Sequence, residues 1–423
     1  MWLRINKLFG LKVKGGALQY TIVFSLLILM SLSLFLMFVR LSALEVYTSQ
    51  KQSQLVDNIN SAIVILENKA QLFDKQKFGI QLLQDSTYST NFEISEWGFY
   101  DKVKIVSSKG LLQVSKTYLF ADNITKNNLI PSLYLSGAKQ YLSIGGKAYL
   151  GNNTYLPGNG IRKSYVSGIG YSRDSLVQGK SFKAGKNLPK LNEKWDERYQ
   201  RLKTRVNVSS DHTVLSILKK DSIAVSFNDE TLVLRCPDKY RLSDKYLDGN
   251  IIITGTKILI SNTCSIHRCI VLADTIVVDK QFKGEVQLFA QHYIEIGESS
   301  VLKVPSVLYL NNSDKTDQIV VKSRTKFQGE IIIPHYIRDR KEILVIQQGC
   351  QMIGQIYSNG YSSFDGVLFG SFYTTGFIKS SSSGLYENYL VDVCIDSKRL
   401  PAEYCGISLI NKSNEKACVE EVY

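Results

Sequence analysis

The sequence predicts a mainly β protein carried on a long amino-terminal transmembrane helix, its β portion stacked as a β-helix-like solenoid, with a β-sandwich as the alternative. Three observations lead there. Gly15 to Val39 is a 25-residue run without a charge, long enough to cross a bilayer's hydrocarbon core with some tilt. Glycine is dense from Gly137 to Gly185, between short aromatic and aliphatic runs. Beyond residue 240 one phrase recurs: an apolar residue, a spacer, Gly, a polar residue, then an apolar run.

The apolar run is hydrophobic all round, which a surface helix is not. Arg4, Lys7, Lys12 and Lys14 precede it, and the first acidic residue is Glu45. By the positive-inside rule, residues 1–16 form a cytoplasmic basic leader and residues 17–39 span an inner membrane once. The rest is then periplasmic or extracellular. A cleaved secretory signal would carry a shorter apolar region and a small-x-small site. This run ends instead in Phe38-Val39-Arg40.

Neither Gly nor Pro occurs between Ala17 and Phe78, and Leu55, Ile59, Ala62, Leu66, Ala70 and Phe73 recur at helical spacing. Residues 40–78 are therefore read as an amphipathic extension of the membrane helix, continuous to about residue 73 and packed on a domain or another chain.

At this point the amino terminus resembles type IV pilins and the pseudopilins of type II secretion. Lys12-Val13-Lys14-Gly15-Gly16 is similar to the end of their leader, and Ala17-Leu18-Gln19-Tyr20-Thr21 to the start of the mature helix. The resemblance covers about the first 75 residues. It implies leader cleavage between Gly16 and Ala17 and assembly with filament or envelope proteins through the helix. The family usually has Glu at the fifth mature position. This chain has Thr21 there, like some minor members.

Residues 79–187 form a Gly/Tyr-rich β region, with β-type runs over Val103–Leu119 and Leu129–Leu135 and then short strands linked by tight turns. Residues 188–206 are a charged insert, where Trp195, Tyr199 and Leu202 fall at helical spacing and predict a short helix. Residues 207–380 carry the recurring phrase, as in Leu247-Asp248-Gly249-Asn250-Ile251, Phe282-Lys283-Gly284-Glu285-Val286, Phe327-Gln328-Gly329-Glu330-Ile331, Met352-Ile353-Gly354-Gln355-Ile356 and Phe364-Asp365-Gly366-Val367-Leu368. Short strands with glycine at recurring corners predict coils that bury a face on one another. The pattern also loosely resembles the β-solenoid domains of polymer-forming bacterial proteins. Residues 381–423 are a cysteine-containing tail.

Net charge is +13, of which four positive charges flank the anchor. The remaining basic residues are scattered and match no nucleic-acid motif, so no nucleic-acid partner is expected. All seven cysteines fall on the predicted external side, where disulfides persist. Cys264, Cys269, Cys394, Cys405 and Cys418 are the candidates, with connectivity open and an odd number overall.

No catalytic residue, cofactor or metal is expected. Gln178-Gly179-Lys180-Ser181 imitates a phosphate loop, but Asp174 stands where its first Gly belongs. Cys264, His267 and Cys269 have no fourth ligand nearby. His212, His292 and His335 stand apart, and no nucleophile elbow exists. Lateral carboxylates Asp274, Asp279, Glu285, Glu295 and Glu298 leave room for the alternative of a membrane-tethered polysaccharide-cleaving enzyme. Tyrosine, 24 in all, leaves room for an adhesion or glycan-binding scaffold. The leading expectation is a non-enzymatic, membrane-anchored bacterial envelope protein with an assembly role, minor-pilin-like or pseudopilin-like in its sharpest form.

Overall fold

The structure is a computed structural model. It describes the chain apart from residues 1–15, 83–86, 126–129, 138–139, 167–168, 209–219, 312–313, 337–340, 382–383 and 411–414. The basic leader and His212 lie outside the described residues.

Helix α1 runs from Gly16 to Asn68, about 80 Å at 1.5 Å per residue. It stops earlier than the sequence predicts, because Lys69 leaves helical geometry (φ −131°) and a 3-10 turn, Ala70–Asp74, follows. The periodic face is real: Leu55, Ile59, Ala62 and Leu66 are fully buried. They pack on an antiparallel meander of β1 (Lys77–Ile80), β2 (Tyr88–Trp97), β3 (Tyr100–Lys109) and β4 (Leu112–Asn123). Phe92, Ile94, Val103, Ile105, Tyr118 and Phe120 line that side of the sheet. Residues alternate inward and outward because strand side chains have period two.

The fifth strand of this sheet is the carboxy-terminal one, Lys416–Val422, antiparallel to β4 with Asp122 opposite Lys416. Everything between 124 and 415 therefore leaves and returns at one place. That insert holds the solenoid, a helix and a short strand, Cys405–Gly406, that also pairs with β4. The predicted block 79–187 divides accordingly: its first part builds the meander, and its Gly/Tyr-rich part joins the solenoid.

The solenoid pairs its strands in parallel on three faces. On one face Leu247, Ile266, Leu302, Phe327, Met352, Leu368, Ile395 and Leu150 stand one above the next or in equivalent positions. On a second face the inner column is Leu234, Ile253, Val271, Leu288, Leu308, Ile331, Ile356, Phe372 and Leu133. On the third, Ile258, Ile276, Ile294, Ile319 and Leu344 do the same. These columns form one continuous apolar core, each coil burying its face on the next. The stack is not in chain order. Leu133–Leu135 pairs with Phe372–Thr374, so the earlier Gly/Tyr-rich segment adds coils beyond the carboxy-terminal end of the later one.

The recurring glycines have two fates. Gly329, Gly354 and Gly370 stack directly at the corner between the first two faces. Their φ values of +147°, +132° and +153° suit glycine alone. Gly284 lies on the first face instead, opposite Leu302, and Gly366 precedes a strand.

Helix α2 (Lys194–Val208) realises the charged insert. Trp195, Tyr199, Leu202 and Val206 are buried against the outside of the second face and the far side of the meander. Phe99 of the meander meets Trp195 at 5.3 Å and Phe289 edge-on at 4.9 Å, a geometry aromatic pairs favour.

Candidate functional site

The functional geometry begins at the free half of α1. From Leu18 to Val39 its large apolar side chains are all exposed. Among the described residues this is one helix long and apolar enough to cross a membrane. Three of its hydroxyls close inward: Thr21, Ser25 and Ser31 each donate to the carbonyl three residues earlier, at 2.8, 2.9 and 2.9 Å. They offer lipid no unmet donor. Gly16 and Ala17, the candidate cleavage pair, open the described helix.

The other half of α1 is tied to the meander. Lys51 donates to the Tyr88 hydroxyl at 3.3 Å, and that hydroxyl bonds Gln54. Glu67 accepts the Cys418 N–H at 3.1 Å. The helix thus grips both the second strand and the last one.

The opposite side of the meander is fixed to the solenoid by buried polar groups. Arg198 of α2 donates to the carbonyls of Phe99 and Tyr100 at 2.9 and 3.3 Å and pairs with Asp101. Lys416 spans Asp101 and Asp122, 2.7 Å from each. Asp122 also accepts the Ser408 N–H at 2.9 Å. Burial works against ionisation of Asp101, but Arg198 and Lys416 outweigh it and hold its carboxyl far below the usual range. Burial likewise works against the charge on Lys416, and Asp101 and Asp122 outweigh it and raise its pKa.

A column of outward side chains on the solenoid's second face completes the joint. Gln287 accepts the Phe99 N–H at 2.9 Å and donates to the Trp97 carbonyl at 3.1 Å. Glu330 accepts from the Tyr404 hydroxyl at 2.9 Å and the Ile407 N–H at 3.2 Å. Gln355 donates to the Ile407 carbonyl at 2.8 Å. Burial pushes the Glu330 carboxyl up to about 8. Because its folded value lies above the unfolded one, the folded chain holds the extra proton between about pH 4.5 and 8. Stability from this group is full at low pH and is lost as pH rises through that window, at up to roughly 1.4 kcal/mol per pH unit. Glu420, raised to about 7 chiefly by burial, adds the same sign. Glu330→Gln should flatten the slope of urea midpoints measured between pH 5 and 8; an unchanged slope would assign it elsewhere.

These joint residues were not singled out from the sequence. One signal was present: the polar residue after the glycine of the recurring phrase. Asn250, Glu330 and Gln355 occupy that place, and all three are buried.

The sequence-predicted candidates do not converge. All seven cysteines are free thiols. Cys264 directly precedes, and Cys269 lies within, one strand, Ser265–Val278. The chain turns a corner between them at Arg268, φ +58°, and both are free thiols. Cys394 sits on the solenoid, whereas Cys405 and Cys418 flank β4 of the meander, so the three do not cluster as expected. The Cys264 and Cys269 thiols belong to the solenoid core, while His267 faces Ser265 at 2.8 Å and Glu285 at 3.5 Å. His292 pairs with Asp317 at 2.9 Å, and His335 with Asn311 at 3.0 Å.

The lateral carboxylates are mostly engaged between coils. Asp279 pairs with Arg241 and Glu298 with Arg324. Glu295 accepts from Tyr293 at 2.6 Å and lies 3.7 Å from Lys322. Asp274 is exposed.

The architecture is a helix-and-meander unit carrying a large β-solenoid inserted between two adjacent strands. No family model matches the sequence, and no curated protein matches it. Among solved structures, a similar chain is the competence-associated pilin ComZ from Thermus thermophilus, at 8% identity, covering 89% of this chain and 96% of that one, with a TM-score of 0.19. A TM-score at that level does not define a common fold.

Proposed function

We propose that this chain is a membrane-anchored, pilin-like component of a bacterial envelope, held by α1 in the inner membrane with its β portion on the far side. The observation that carries the reading is the division of α1. One half is bare and apolar, and the other is buried on an antiparallel meander. A bare half of this kind can sit in lipid and bundle with like helices when drawn from it. The solenoid is then a rigid body displayed at the tip of that unit, and the partners are lipid and other envelope or filament proteins through the helix.

The reading is non-enzymatic. Pairing of Asp279, Glu295 and Glu298 with cations or hydroxyls of the stack supports a structural use of these carboxylates.

Mass spectrometry of the protein from its native membrane tests the sharper form. A mature chain beginning at Ala17 is expected. A chain still carrying Met1 would reduce the assignment to a plain anchor, and a protein recovered without membrane would overturn it altogether.

A further inference from the structure

Where the second and third faces of the solenoid meet, the chain leading into α2 crosses a cavity of about 750 Å³. Its size falls in the range of small-molecule sites, about 300–1,000 Å³. Tyr336 and Tyr361 supply ring surface, and Gln140, Asn187, Asn359 and Thr375 supply neutral polar groups. Among the described lining residues the single charge is Lys186. Tyr336 is 55% exposed. The Tyr361 ring lies on Gly376, where any Cβ would meet it at 2.4 Å. Its hydroxyl donates to Glu387 at 2.7 Å, and Gln140 donates to the same oxygen at 2.7 Å. Asn388 donates to Gln140 at 2.6 Å. This wall is set before any ligand arrives, which lowers the cost of binding.

We propose that this cavity binds a neutral oligosaccharide of two or three units, ring faces on Tyr336 and Tyr361 and hydroxyls bridged by the amides of Asn187 and Asn359. A sugar presents both an apolar C–H face and groups that donate and accept. Amides and hydroxyls match the second property, and aromatic faces match the first. An anion would find one lysine, and a purely apolar ligand would strand the amides. The assignment is independent of the role of α1.

Saturation-transfer NMR and calorimetry on the full chain in lipid nanodiscs test it. The probes are cellotriose, maltotriose and triacetylchitotriose, with trigalacturonate as the charged control. One neutral trisaccharide should bind, Tyr336→Ala should weaken it by about tenfold, and Asn187→Ala by roughly three- to tenfold, with thermal midpoints unchanged in both variants. No neutral trisaccharide binding at about 10 mM, binding of trigalacturonate alone, or affinity unchanged in either variant would overturn the proposal.

Discussion

Replacing Asp101 by alanine is expected to lower stability by about 3–5 kcal/mol, enough to unfold many domains outright. The reason is what remains. Asp101 is one of the buried carboxylates between the Arg198 guanidinium and the Lys416 ammonium, and all three side chains are nearly inaccessible. Its loss leaves the buried Arg198 with only the part-exposed Glu96, 3.2 Å away, and Lys416 with Asp122 alone. A dry cation stripped of its buried partner costs more than the pair was worth. The double variant Asp101→Leu with Arg198→Met should therefore recover much of the loss. Urea titration of the three proteins separates these effects. If Asp101→Ala stays within about 1 kcal/mol of the parent, the network does not hold the two halves together. The same pairing sets an acid limit. With its folded pKa depressed, Asp101 contributes stability above the ordinary carboxylate value, and that contribution drains as pH falls below about 4.

The second large effect belongs to the glycine corner. In Gly354→Ala the new Cβ would stand 2.0 Å from the Gly329 carbonyl oxygen and 2.4 Å from the Tyr404 hydroxyl, at φ +132°. Neighbouring backbone cannot give way without pulling two coils apart. We expect a loss of about 3 kcal/mol or more, summing backbone strain and overpacking. Gly384→Ala is the control: its φ is similar, +135°, but nothing lies within 4 Å. That variant should cost only about 1 kcal/mol. Equal losses in the two, read from thermal midpoints, would mean that φ alone matters and that the close approach of coils does not.

Much of this architecture was legible because local pattern and burial coincide. The charge-free run, the face through Leu55 and Leu66, and the Trp195–Tyr199–Leu202 spacing each report one helix and one buried side. Ile251–Ile253 and Ile331–Ile333 report coils buried on both sides, where a meander would alternate. Two things were not legible. Pairing of Lys416–Val422 with β4, and of Leu133–Leu135 with Phe372–Thr374, joins residues hundreds of positions apart, and no periodicity encodes a partner that distant. The Asp101–Arg198–Lys416 joint is likewise drawn from three separate segments, each charge reading as an ordinary surface residue until the fold removes it from water.

The strand that finishes the sheet beside α1, Lys416–Val422, is made long after its neighbour β4. Until then β4 waits with one edge bare while nearly three hundred residues pass by, and an uncovered edge invites pairing with strangers. Coils stack through near neighbours and can mature meanwhile. Arrival of Lys416 beside Asp122 then works as a completion signal: a polypeptide truncated by translation or proteolysis before that point cannot close its base, however well its upper body has folded.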